Sequence, residues 1–518
     1  MRVRRPSPRT VAAAALRWIL SAAILGGCAL GPDFHRPAPP SEARVLRAAP
    51  PKAMPADGRT QRFDRQTAVA PDWWKQFHCA ALDALVREGL ANSPGLKAVR
   101  ATLQEAQDNL RAGYGVFFPQ IGASLGATRE SSVFFLGPNP IRPGPFNLAT
   151  LQAAVTYTPD LFGAERRTVE ALGAQADAQR YALVAAQVTL AGNIVNTAIA
   201  RAGYTAQRDA QRRIIAEQRE QVDIARVQVR AGTAPYSSVV AIQSQLAASR
   251  ATLAALDQRL DQTGHLLAQL VGKAPAAFSA PPIALGDLVL PEALPDSLPS
   301  GIARHRPDIL IAEAQLHAAS AGIGIATANL FPDLTLGGAV GRDTTAIASI
   351  LHNGYRFWSL QASLAGSLFS GGTQWYQRKA AIDAYDAALA TYDQTVLAGL
   401  SQVADTMRAL DHDAQALHAQ ADARAAASEA LHLVRANFTA GTASYLDLLA
   451  ADALAQQADL GYSGAVAQRL QDTVAFYAAL GGGWWNPATP PAAERENPVR
   501  RPGNSGSGNR PANRVPMH

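Results

Sequence analysis

A chain of 518 residues, 48% apolar and 17% charged, has length for a large core and for more than one domain. Its formal charge of +6 would fit a nucleic-acid binder, but the excess lies at the two ends and leaves no basic patch between them. Residues 1–27 hold five arginines and no acid, residues 486–518 hold five arginines against two glutamates, and the body between is slightly acidic.

Residues 1–27 read as a secretory leader: an arginine-rich start, an apolar run over 18–25, then Gly26-Gly27. Leu25-Gly26-Gly27-Cys28 resembles a bacterial lipobox, in which small residues fit the peptidase and the cysteine thiol takes a diacylglyceryl group. Cys28 is therefore the expected lipid attachment, and Ala29 after it, in place of an aspartate, goes with delivery to a Gram-negative outer membrane. Cys79 then has no intrachain partner, so no disulfide framework is expected. Past the leader no apolar run reaches the roughly 18 residues of a spanning helix. Even 181–200 is broken by Gln187, Thr189, Asn193 and Asn196. A chain that crosses a membrane on these terms crosses it as strands.

Residues 28–72, rich in Pro, Ala and Arg, read as an extended linker behind the lipid. Trp73-Trp74 and Phe77 open the ordered part. Ser93-Pro94 starts a helix that runs to about 111 and is closed by Gly113, Gly115 and Pro119. The same unit returns as Arg306-Pro307, a helix, Gly322, Gly324 and Phe331-Pro332, with the two prolines 25 positions apart in both copies. A pair of strands follows each copy. Ile121, Ala123, Leu125 and Ala127 form one apolar face, Leu151, Ala153, Val155 and Tyr157 another, and Trp358, Leu360, Ala362 and Leu364 a third. Their neighbours, Gln152 and Gln361 among them, are small or polar. Period two with unlike faces means a sheet with two different surroundings. The fourth strand, 334–341, is glycine-rich and expected to be shorter.

Very long helices follow the strands. Nothing but scattered glycines breaks 166–230, a stretch that as a helix would span roughly 95 Å. Leu246, Leu253, Leu260 and Leu267 fall seven apart, a coiled-coil period. In the second half Leu389, Tyr392, Val396, Leu400, Val403, Met407 and Leu410 form a comparable stripe. Each long helix ends at a Gly-Thr turn: Gly232-Thr233-Ala234-Pro235 in the first half, Gly441-Thr442-Ala443-Ser444 in the second. Glycine takes the left-handed backbone that ends one helix, and the residues after it start the next. Pro94 and Pro307 are 213 apart, Pro119 and Pro332 also 213, Phe162 and Phe369 207, Gly232 and Gly441 209. A near-constant offset is the mark of duplication. The expected domains are therefore 73–285 and 286–485, with 486–518 a disordered tail.

No catalytic constellation is legible. The histidines form no His-Glu-x-x-His, the cysteines no Cys-x-x-Cys, and Gly371-Gly372-Thr373 lacks the lysine of a phosphate loop. His412 between Asp411 and Asp413 reads as a solvated helix face rather than a metal site. Neither an enzyme, a metal nor any cofactor other than a covalent lipid on Cys28 is expected. Four strands cannot close a barrel, and lipid tolerates no open sheet edge, so copies of the chain must supply the rest; three copies give twelve strands.

These residues resemble the TolC-like outer-membrane efflux proteins, and among them the NodT/OprM-like lipoprotein branch that serves resistance-nodulation-division pumps. The resemblance rests on Leu25-Gly26-Gly27-Cys28, Trp73-Trp74-x-x-Phe77, Arg306-Pro307-Asp308, Phe331-Pro332, Leu368-Phe369-Ser370-Gly371-Gly372 and the two Gly-Thr turns. It implies a mainly α protein with membrane β: a homotrimer with a twelve-strand β-barrel in the outer membrane and long helical hairpins forming a periplasmic α-barrel. It implies passive conduction of drugs or other small molecules, energy from an inner-membrane transporter, and docking of a periplasmic adaptor on the two turns. Relatives carry acidic rings near the periplasmic aperture; here residues 425–440 offer only Glu429 as an acid, and Arg435, Tyr445 and Asp447 are the aperture candidates. Two alternatives share part of the pattern: an exit duct for type I protein secretion, and a lipoprotein adaptor, which would have one helical hairpin rather than two.

Overall fold

The computed structural model describes residues 29–486 except 39, 41–43, 48–52, 58, 132–133, 137–138, 142–143, 297–298 and 353–354. The leader, Cys28 and the tail beyond Asn486 lie outside the described residues. In chain order the strands are β1 (Met54–Ala56), β2 (Arg59–Asp64), β3 (Gln120–Glu130), β4 (Phe134–Leu136), β5 (Asn139–Ile141), β6 (Phe146–Tyr157), β7 (Ala293–Pro295), β8 (Asp333–Thr344) and β9 (Tyr355–Ala365). The helices are α1 (Ala80–Asn92), α2 (Pro94–Gly113), α3 (Ala164–Arg230), α4 (Tyr236–Leu270), α5 (Pro299–His305), α6 (Pro307–Ala328), α7 (Thr373–Thr439) and α8 (Tyr445–Ala479).

The two halves match in length as well as order. Helices α3 and α7 are each 67 residues long, about 100 Å, and the return helices α4 and α8 are each 35. Residues spaced as a coiled-coil seam turn inward: Leu246, Leu260 and Leu267 are buried, and Leu253 packs against the same cluster as Leu246. On α7 the stripe is likewise internal, with Tyr392, Val396, Val403, Met407 and Leu410 buried.

Where the two halves meet, an aromatic core ties them together. Trp73 stacks on Tyr477 with ring centroids 5.4 Å apart, and Phe77 is fully buried beside them. Tyr477 Oη donates to Gln76 Oε1 at 2.5 Å, so the hydroxyl of that stack is satisfied. Arg306 explains the Arg-Pro-Asp motif. Only 7% exposed, it donates to Asp308, to the Ala479 carbonyl and to Gln402 Oε1, bracketing α6, α7 and α8 with one guanidinium.

Two expectations are corrected. Within 28–72, expected as an extended linker, the described residues of 53–64 are docked on the helices: β1 and β2 pair, β2 joins β7 in parallel, and buried Arg469 on α8 donates to Gln61 Oε1 and the Met54 carbonyl. Composition hid this, because the strands are short and β7 and Arg469, onto which they dock, lie over 200 residues away. Nor is the fourth strand short. β8 has 12 residues, as many as β6. A Cβ on Gly337 would strike the Gln361 side chain and one on Gly341 the Phe357 ring, so these glycines admit neighbouring side chains and do not end the strand.

Candidate functional site

Strands β3, β6, β8 and β9 form one antiparallel sheet in that order, and its register sorts every side chain. Ile121, Val155, Gly338 and Leu360 lie in one row across it, and Ala123, Ala153, Val340 and Trp358 in the next. These rows share one face. Rows on the opposite face read Gln120, Thr156, Gly337, Gln361 and Ser124, Gln152, Gly341, Phe357. On the apolar face Ile121 is 81% exposed, Trp358 75% and Leu360 79%. Contiguous apolar surface of that kind is costly in water and suited to lipid. Strands of 11 and 12 residues are long enough to cross a bilayer when tilted. Both outer strands, β3 and β9, are left with an open edge in a single chain.

Below the sheet, the residues after Cys28 are clasped onto the helices. The Leu30 amide donates to the Phe162 carbonyl at the sheet-to-helix boundary, where Phe162 stacks on Phe331. Arg167, 4% exposed, donates to Asp33 Oδ1 and Glu170 Oε2, each at 2.7 Å, and to the Leu30 carbonyl. Glu170 also meets His317 Nε2 at 2.9 Å, and Phe34 stacks on that imidazole. A buried arginine held by two carboxylates fixes the clasp in direction as well as place. The sequence signal for it was weak, since Asp33 and Phe34 sit in a proline-rich stretch with no periodicity.

At the far end of α3 and α7 the two Gly-Thr turns are built alike. Gly232 has φ +73° and Gly441 φ +76°, both left-handed. Thr233 donates its amide and its hydroxyl to the Gln228 carbonyl; Thr442 donates both to the Asn437 carbonyl. The threonine thus closes the orphan carbonyls of a helix end, and glycine supplies the backbone that lets it do so. Pro235 then starts α4, whereas Ser444 starts α8 by a reciprocal cap with Asp447. Ala234 and Ala443 complete the turns, and space beside both glycines is open.

The three aperture candidates part company here. Tyr445 and Arg435 both reach α3: the Tyr445 hydroxyl donates to Gln221 Oε1 at 3.4 Å, and the Arg435 guanidinium lies 3.9 Å from Glu217. Tyr445 also packs edge-on against Phe438. Asp447 instead belongs to the cap, and its bonds to Ser444 hold its carboxyl below the usual carboxylate range. The structure adds a residue that the sequence reading missed. Asp452 on α8 is 3% exposed, and burial, with Glu217 nearby, pushes its carboxyl up to about 6, against the opposing pull of Arg435 and the bond from Gln456. Its position four residues after buried Leu448, on the same helical stripe, was the available signal.

That acid makes stability depend on pH in a definite direction. The folded carboxyl keeps its proton to about 6 while the unfolded one loses it near 3.8, so folding loses stability as pH rises between those values. Asp452→Asn removes the penalty: a gain of about 3 kcal/mol per chain is expected at pH 7.5 and little near pH 4. Thermal unfolding of the two proteins across that range checks it, and an equal gain at both ends would refute the assignment. A second acid, Asp413, is pushed up to about 8 by burial and by Asp472. Among the described residues no group of three or more His, Cys, Asp or Glu converges as a metal site.

Comparison with known proteins places this geometry. The family model described as outer membrane efflux protein matches residues 85–273 and 298–482. The pyoverdine export outer membrane protein OpmQ of Pseudomonas aeruginosa is 26% identical over 475 residues, 90% of this chain and 97% of its own length. The toluene efflux pump outer membrane protein TtgC of Pseudomonas putida is 27% identical over 480 residues, 90% and 95% of the two chains. Among solved structures, the outer-membrane channel OprN superposes with a TM-score of 0.79 at 26% identity, covering 88% of this chain and 100% of its own.

Proposed function

The chain belongs to the outer membrane efflux protein family, and from that premise we propose how it works as the outer-membrane exit duct of a tripartite efflux pump. Three chains close their open sheet edges, β3 of one against β9 of the next, into a twelve-strand barrel. The apolar face meets lipid and the face of Gln120, Ser124, Gln152 and Gln361 lines the lumen. Residues 73–285 and 286–485 act as duplicated repeats, each contributing two strands and one helical hairpin to barrel and periplasmic tube. The observation that carries this reading is the sheet register, which gives one outward face that is apolar from the Ile121 row to the Ala123 row and two unpaired edges.

Conduction is passive: the duct supplies a path, and an inner-membrane resistance-nodulation-division transporter, joined through a periplasmic adaptor, supplies the energy. The turns at Gly232 to Pro235 and Gly441 to Ser444 are the adaptor's docking surface, and Arg435 and Tyr445 hold the aperture through α3. The names of OpmQ and TtgC point to small molecules as cargo. Deleting the gene tests the duct directly. Loss of small-molecule export, restored by the wild-type chain, is the expected result; unchanged export with a defect in polypeptide secretion would favour the type I alternative.

Cys28 is the lipid attachment. Support comes from the clasp, which seats Leu30 at the sheet-to-helix boundary, the level at which an acyl chain enters the membrane. Cys28→Ser should abolish labelling by a palmitate analogue and leave a folded barrel, because the clasp holds residues 30–36 without it. Unchanged labelling would move the modification elsewhere.

A further inference from the structure

One row of the sheet breaks the apolar pattern. Leu125, Leu151, Arg342 and Arg356 lie side by side on the outward face, so two arginines stand directly opposite each other on β8 and β9. Arg129, next but one along that face beyond Ala127, adds a third positive charge on β3. Like charges directly opposed on neighbouring strands destabilise a sheet unless something anionic lies between or above them. No carboxylate does so here. Among the described residues none of the three arginines forms an ion pair; Arg342 donates only to the Leu351 carbonyl. The flanking segments 131–146 and 345–354 contain Arg142 and His352 but no Asp or Glu.

The acids of this rim face the other way. Glu130 and Asp343 occupy the lumen-side rows, and Asp343 accepts a bond from Thr150 there at 2.7 Å. Charge is thus segregated across one layer of sheet, acidic inside and basic outside. Height along the barrel fixes what the outer arginines can meet. Asp333 opens β8 at the helical end, and Arg342 lies nine residues further on, about 30 Å along the strand. With the usual tilt of about 40° that is roughly 23 Å above the periplasmic edge, the top of the apolar band. Arg342, Arg356 and Leu351 border an open depression of about 670 Å³ floored by Ala123, Leu151 and Val340, wide enough for a headgroup and the start of its chains.

We propose that Arg342 and Arg356, assisted by Arg129, form a binding site for the phosphate groups of outer-leaflet glycolipid. The site rests on the reading of the sheet as a membrane barrel, and adds to it a specific lipid partner at the outer rim. Guanidinium groups suit phosphate because they offer paired donors in a plane, and at the edge of the hydrocarbon the pairing is weakly screened. Closing the barrel with a second copy brings β3, and Arg129 with it, to the β9 edge that carries Arg356.

Native mass spectrometry of the delipidated, detergent-solubilised full-length protein tests this with three probes: bis-phosphorylated lipid A, its dephosphorylated form, and inorganic phosphate. Wild-type protein should bind bis-phosphorylated lipid A at least about tenfold more tightly than the dephosphorylated form. Arg342→Gln with Arg356→Gln should lose that preference, while Arg87→Gln, whose side chain pairs with Asp83 in the periplasmic part, should keep it. The exposed Arg356→Gln alone serves if the double variant fails to assemble, and should weaken lipid binding severalfold. Equal affinity for both lipid forms, or an unaltered preference in the assembled arginine variants, would overturn the site. Inorganic phosphate binding as tightly as the lipid would overturn the lipid assignment. A normal efflux rate in the arginine variants is expected in either case, so failure of this site leaves the duct reading intact.

Discussion

Replacing Gly441 or Gly232 with tryptophan should abolish export while leaving protein yield and outer-membrane location near normal. Both glycines have positive φ, so any side chain there strains the backbone by about 1–2 kcal/mol. Beyond the neighbouring residues no atom lies within 4 Å of where a Cβ would stand, so the new side chain starts in open space. Helices of 67 and 35 residues, with α7 buried between Tyr392 and Leu417 well away from the turn, absorb a strain of that size. On the proposed docking surface a bulky indole would block the close approach of an adaptor's helices to the turn. Suppressors are then expected in the adaptor's hairpin. Normal export by both variants at wild-type levels would reduce the turns to helix ends and put the docking surface elsewhere.

Leu360→Arg should cost about 2–4 kcal/mol near the bilayer midplane and sharply reduce the assembled barrel. Leu360 is 79% exposed on the apolar face, in a row with Ile121 and Val155, and has no polar partner there. Its neighbour along the strand, Gln361, points the opposite way, and Gln361→Arg should assemble like the wild type. Val155→Arg and Gln152→Arg form a second pair with the same contrast on β6. Heat-resistant oligomer on a gel, measured for all four, decides the matter. Equal tolerance within each pair would mean that the sheet does not face lipid on one side and water on the other.

How much of this was legible in the residues depended on the range of the interactions. Periodicity is local, so the outward face of Leu151, Val155 and Leu360 and the seam of Leu246, Leu260 and Leu267 could be read directly. The turns were also legible, because Gly-Thr carries its own hydrogen-bond logic within six residues. Long-range pairing was not. Arg469 gives no sign in sequence of its bond to Gln61, 408 residues away, and nothing near Asp33 announces Arg167. β8 misled for another reason: glycines that admit Gln361 and Phe357 look in isolation like a strand that ends early. At the tip, Asp447 was conspicuous and proved to be engaged in a cap, while Asp452 was hidden among apolar neighbours.

The assembly of open-edged sheets into one closed barrel is tested most directly by the mass of the folded particle extracted from membranes in detergent. Four strands with two unpaired edges predict three copies of the chain per particle, with no stable single-chain barrel beside them. A folded particle containing one copy, with its strands intact, would contradict the account at its root.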